Sequence, residues 1–139
     1  MTLSPNLQDK RHPCSAFDWS VPVENDPSRK SAFHRAAKTQ LKALASHFGW
    51  PASAYDLRSN LAGMAVSGEI TLHHDHIYIS VSQCRVGAGT GILIRSCKGR
   101  KDFSGGPNTY APLDLLDDVR AFAQRILAII PHAQDGGAA

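Results

Sequence analysis

Val66 to Ser82 reads VSGEITLHHDHIYISVS, and the alternation in this stretch decides the fold. Val66, Gly68, Ile70 and Leu72 alternate with Ser67, Glu69, Thr71 and His73. Past His74-Asp75, Ile77, Ile79 and Val81 alternate with His76, Tyr78, Ser80 and Ser82. Successive side chains of a strand point to opposite faces, so a period of two marks strands with one face buried. Two such runs joined by a short polar turn predict a β-hairpin. Its inner face is aliphatic, and its outer face carries Glu69, Thr71, His73, His76 and Tyr78.

Downstream, the glycine-rich GAGTG of residues 87–91 leads into a third strand, Ile92 to Cys97. Ile92, Ile94 and Ser96 share one face of that strand, and Leu93, Arg95 and Cys97 the other. A dinucleotide loop needs strand, glycine turn and helix in that order, whereas these glycines connect strand to strand. They read as a hairpin loop. From Lys98 to Pro112, KGRKDFSGGPNTYAP has no period and predicts a loop. Leu115, Leu116, Val119, Phe122, Ala123, Ile126, Leu127 and Ile130 then repeat at helical spacing, which predicts a helix from Leu113 to Ile130. Asp114, Asp117 and Asp118 fall in its opening turns, where acids complement the helix dipole. Pro131 stops it, and residues 132–139 read as a disordered tail.

Upstream of the hairpin, Trp50 to Gly63 reads as a connecting loop. Before it, Asp26-Pro27 is a helix start, because Asp accepts the free backbone donors and Pro lacks one. Phe33, Ala37, Leu41, Leu44, Ala45 and Phe48 form an apolar stripe at three- and four-residue spacing. Arg29, Lys30, Arg35, Lys38 and Lys42 fall largely elsewhere on the wheel. Gly49 is a C-cap candidate, and Pro51 prevents resumption of the helix. Residues 1–25 form an N-terminal arm, either mobile or docked through the alternating Phe17, Trp19 and Val21. The prediction is one α+β domain over residues 26–131, in the order α-β-β-β-α. It has a three-stranded antiparallel sheet with two helices on one face.

The chain has 139 residues, 42% of them hydrophobic and 19% charged, which suits a single domain with a real core. Fifteen Lys and Arg against twelve Asp and Glu give +3, short of the excess of a dedicated nucleic-acid binder. Three cysteines, Cys14, Cys84 and Cys97, show neither CxxC spacing nor an even count, which excludes a disulfide framework and a zinc ribbon. No apolar run approaches the ~20 residues of a membrane span, and MTLSPNLQDKRHP lacks an apolar signal core. A cytoplasmic protein without membrane contact is expected.

Residue types then nominate chemistry. His73-His74-Asp75-His76 is the densest titratable cluster, and imidazole with carboxylate suits a transition metal. His73 and His76 project from one face across the turn and are the candidates for such a role, while His74 and Asp75 sit at the tip. A closed site needs further ligands, so no metal or other cofactor is expected. Cys97, on the same face as Arg95, would be the nucleophile of a thiol-dependent enzyme if the strand order places His73 or His76 beside it as base. No nucleophile motif surrounds it. The strongest binding signal is residues 95–110, which combine Arg95, Lys98, Arg100 and Lys101 with Phe103, Asn108 and Tyr110. Cations neutralise phosphates, exposed aromatics stack on bases or anchor proteins, and loops of this length are usually functional. Tyr78 on the outer sheet face completes the expected surface, and Arg58 and Asn60 extend its rim.

The order helix, three antiparallel strands, helix resembles the double-stranded-RNA-binding domain in topology. That family grips phosphate with basic residues at the start of its second helix, where this chain has Asp114, Asp117 and Asp118, so its sites are not carried over. CKGRKDFSGGPN (97–108) followed by PLDLLDD (112–118) resembles small uncharacterised accessory proteins carried by plasmids and phages of proteobacteria. The resemblance covers the C-terminal third and implies a non-enzymatic accessory role, with inhibitor-like binding to a host protein or protein–nucleic-acid complex. Direct nucleic-acid binding through the basic loop is the alternative. Sheet edges left open also admit a homodimer.

Overall fold

The computed structural model describes residues 17–24, 26–62, 66–83, 91–103 and 105–133. Helix α1 spans Pro27–Phe48. The Asp26 carboxylate accepts from the Ser28 and Arg29 amides at its start. At its end Gly49 adopts φ 78°, a left-handed geometry that costs glycine no Cβ clash, and its N–H bonds back to Ala45 and Ser46. Five strands follow, β1 Tyr55–Asn60, β2 Glu69–His74, β3 Ile77–Val81, β4 Ile92–Ser96 and β5 Thr109–Ala111. They pair as an antiparallel meander in chain order. A 3-10 turn at Leu113–Asp117 then leads to helix α2, Val119–Ile129.

The α+β class, the hairpin and the antiparallel sheet agree with the sequence reading, but the sheet has five strands rather than three. β1 lies in the expected loop 50–63, and β5 in the expected loop 98–112. Both are edge strands, and their sequences explain why they escape notice. β1 offers only Tyr55 and Leu57 as apolar residues, and its last three positions, Arg58 to Asn60, are exposed. β5 is three residues long, too short to show a period. Cross-strand pairing with β2 and β4 makes them strands.

Smaller corrections follow from the same principle. Strand β2 starts at Glu69, so Val66 and Gly68 precede it. β4 ends at Ser96, which leaves Cys97 outside the ladder. The last helix starts at Val119 instead of Leu113. Asp118 breaks the 3-10 turn and caps α2 by accepting from the Ala121 amide, while Asp114 and Asp117 belong to the turn. His74 does not sit at the hairpin tip. It faces Tyr55 in the ladder, on the core side, and is 0% exposed.

Register explains the core. Leu57, Leu72, Ile79 and Ile94 lie opposite one another across β1 to β4, with Ile70, Val81, Ile92 and Ala111 forming the next row. Phe33, Leu41 and Leu44 of α1 and Phe122 and Ile126 of α2 close over this face. The helices pack on each other as well as on the sheet. Gln40 of α1 donates to the Leu116 carbonyl (2.7 Å), and buried His34 bonds both Ser59 of β1 and the Ser67 carbonyl. Burial holds the His34 ring below its ordinary pKa; the Ser67 bond opposes this, and Lys30 and Lys38 add to the lowering.

The segment 17–24 also packs on the core without forming a strand. Trp19 and Val23 are buried, Phe17 and Trp19 pack on Phe33, and Trp19 Nε1 donates to Asp117 (2.8 Å). The Gln83 side chain stands in for a neighbouring strand, accepting from Val23 N–H and donating to the Val21 carbonyl. The rest of the arm, most of the GAGTG stretch, Cys84 and the tail beyond Ala133 lie outside the described residues. Among the described residues no helix is long and apolar enough to cross a membrane.

Candidate functional site

Register sorts the outer sheet face into two cross-strand rows, two residues apart along each strand. Asp56, His73, Tyr78 and Arg95 form one, and Arg58, Thr71, Ser80, Leu93 and Tyr110 the other. Ser80 Oγ donates to Glu69 (2.8 Å), which keeps this row satisfied although Ser80 is buried. Over the first row lies the loop after β4.

That loop has a defined architecture. The Gly106 amide returns to the Ser96 carbonyl (3.0 Å), closing the base, and the Asp102 amide bonds Gly99 O (3.1 Å) in a turn whose central residues are Arg100 and Lys101. The Asp102 carboxylate accepts from the Lys98 and Gly105 amides, supplying acceptors that backbone outside a sheet would otherwise lack. Gly105 approaches so closely that a Cβ there would lie 1.9 Å from the Ser96 oxygen. In CKGRKDFSGGPN, Gly99 and Asp102 thus make the turn and Gly105 the closure.

Contacts to the sheet hold the loop in place. His73 Nε2 donates to Gly99 O (3.0 Å), and its ring meets Phe103 edge-on at 5.0 Å between centroids. Tyr78 contacts both rings. The Arg95 guanidinium lies 4.6 Å from the centre of the Tyr78 ring and donates to Phe103 O and Asn108 Oδ1. Asn108 Nδ2 reaches the Tyr110 hydroxyl (3.5 Å). Burial raises the Tyr78 phenol above its ordinary pKa, with Glu69 reinforcing and Arg95 opposing. The outcome is one continuous patch of Tyr78, Arg95, Phe103, Asn108 and Tyr110 on a base of His73. Phe103 remains 60% exposed and Tyr110 45%.

The structure separates the remaining expected binding residues from this patch. Arg100 turns toward β1 and the hairpin tip, where it pairs with Asp75 (3.3 Å) and Asp56 (3.6 Å) and donates to the Ser53 carbonyl. It therefore fastens the loop, and its charge is met within the chain. Lys98 and Lys101 are exposed and form no ion pair with a described residue. Arg58 lies in the second row on edge strand β1, and Asn60, beside Glu69, bonds the Ala62 amide. His73 is the part of the surface that the residue types had marked for other chemistry; its outer-face parity in the alternation is the signal that places it here.

The titratable alternatives come apart. His73 and His76 do not share a site, because His76 leaves the outer face at the turn and packs against His132 (4.9 Å) and His74. His74 stacks on Trp50 at 4.0 Å with 12° between the planes, and its Nδ1 accepts from the His76 amide. Burial lowers its pKa to about 4; Asp75 opposes this, while His76 and Arg100 contribute to it. Cys97 does not share the outer face with Arg95. It is 7% exposed, its thiol donates to the His74 carbonyl (3.2 Å), and burial raises its pKa, the opposite of nucleophile activation. Among the described residues no group of three or more His, Cys, Asp or Glu is placed to hold a metal. No family model, curated protein or solved structure matches the chain.

Proposed function

We propose that the protein is a non-enzymatic binding module whose outer sheet face and 97–108 loop dock on another protein. One observation carries this reading. Phe103 and Tyr110 stay exposed on a backbone that is already pinned, while the neighbouring Arg95 and Arg100 are engaged within the chain. Aromatic and arginine side chains dominate the energy of protein interfaces, and an anchor held in place before contact loses less entropy on binding. The likeness of residues 97–118 to accessory proteins of mobile elements supplies the class of partner, a host protein complex that the module would inhibit in the cytoplasm. Direct nucleic-acid binding by the loop is less well supported, since Arg100 is ion-paired and Arg95 is hydrogen-bonded and stacked on Tyr78 within the chain, which leaves Lys98 and Lys101 of its four basic residues without such an engagement to a described residue.

Affinity capture from host cells, quantified for the wild type and two double variants, tests this. Phe103→Ala with Tyr110→Ala is expected to lose a defined protein partner, and Lys98→Glu with Lys101→Glu to keep it. A partner retained by the aromatic variant, or lost only from the charge variant, overturns the reading.

A further inference from the structure

Helix α1, on the other side of the sheet from the Phe103 patch, concentrates the charge of the molecule. It holds five of the fifteen basic residues and none of the twelve acidic ones, so the rest of the chain, with ten against twelve, is net negative. Arg29 pairs with Asp26. Arg35, Lys38 and Lys42, at i, i+3 and i+7, form no ion pair with a described residue and line one ridge of the helix. Like charges at this spacing oppose helix formation, and no acid on α1 compensates them. Ser31, Thr39 and Ser46, all exposed, stand on the same ridge. It carries no large exposed apolar side chain, since Leu61, Val66, Phe103 and Tyr110 all lie elsewhere.

We propose that the α1 ridge of Arg35, Lys38 and Lys42 is a docking surface for the phosphate backbone of double-stranded DNA. Protein interfaces are anchored by buried aromatic or apolar groups and interfacial helices insert an apolar face, and this ridge has neither. Single strands are held by stacking on aromatics, which are equally missing from it. Cations and hydroxyls without an apolar anchor match the contacts made to phosphate, where counterion release supplies the affinity. Arg35 to Lys42 spans about 10 Å of helix, the length over which one strand of duplex DNA presents about three phosphates. The major groove of B-DNA admits a helix, whereas that of A-form RNA is too narrow.

Fluorescence anisotropy with labelled duplex DNA, single-stranded DNA and duplex RNA, with phosphatidylserine vesicles as a further arm, tests the assignment. Wild-type affinity for duplex DNA is expected to fall about 40-fold between about 50 and 200 mM salt, as release from three phosphates requires. Arg35→Gln, Lys38→Gln and Lys42→Gln combined should abolish binding with the helical circular dichroism retained, and each alone should lower the logarithmic salt slope by about 1. Lys98→Glu with Lys101→Glu should bind as wild type. Absence of binding at about 50 mM salt, equal binding by the single and triple variants, preference for single strands or RNA, or binding to vesicles in place of DNA each overturns the proposal. The ridge and the Phe103 patch share no residue, so either reading can fail while the other stands.

Discussion

His73 and His74 are adjacent and chemically identical, yet the two faces of the sheet give them opposite fates. His74 points into the core, stacks on Trp50 and is held neutral by burial. His73 points outward, where the loop folds down on it and uses its Nε2 proton to hold the Gly99 carbonyl. The inner face is sealed by aliphatic packing between sheet and helices, and the outer face by a few directed hydrogen bonds and ring contacts. The first arrangement makes stability. The second makes a shaped, partly exposed surface.

If the inner face carries stability, the largest effect belongs there. Leu72→Ala, at a fully buried position, is expected to cost about 2–5 kcal/mol, and Thr71→Ala, one residue away on the outer face, about 0.5 kcal/mol or less. Denaturant titration of both variants reads the difference, and equal costs would erase the distinction.

Acid probes the two histidines next. Above the unfolded pKa near 6.5, His74 is neutral in both states and its burial is fully tolerated. As pH falls toward 4 the unfolded chain takes up a proton that the native ring refuses, so stability is lost across that window. The loss amounts to roughly 3 kcal/mol at most. His74→Phe should shrink this limb to the part contributed by His34, which burial also holds low, whereas His73→Phe should leave the His74 contribution in place. Thermal unfolding between pH 7 and 4.5 checks both.

A smaller effect on global stability than at Leu72 or His74 is expected in the loop. A side chain at Gly105 must push the chain away from the Ser96 carbonyl, so Gly105→Val should free the loop at a cost of about 1–3 kcal/mol. Amide exchange at Gly106 should accelerate while the core strands stay protected. Unchanged exchange there would show that the closure does not depend on this contact.

Legibility in the sequence followed the same division. The α1 stripe, its caps and the β2–β3 hairpin were readable because their burial repeats with a regular period. β1 and β5 were not, since edge strands are buried on one side at most and their few apolar residues fall below any periodic signal. Of the expected binding residues, Tyr78, Arg95, Phe103, Asn108 and Tyr110 converge, whereas Arg100 turns to Asp56 and Asp75. Residue type marked Arg100 as a free cation, and nothing local reveals partners 25 and 44 positions away.

By itself the sequence determined the elements whose cause is local: where α1 begins and ends, which side of the hairpin is apolar, and where the charge accumulates. Tertiary structure alone decided which histidine faces the core and which the loop, which arginine is neutralised and that the 97–108 loop folds onto the sheet. Those outcomes depend on groups far apart in the chain, and solvent exclusion and hydrogen-bond partners exist only once the strands have paired.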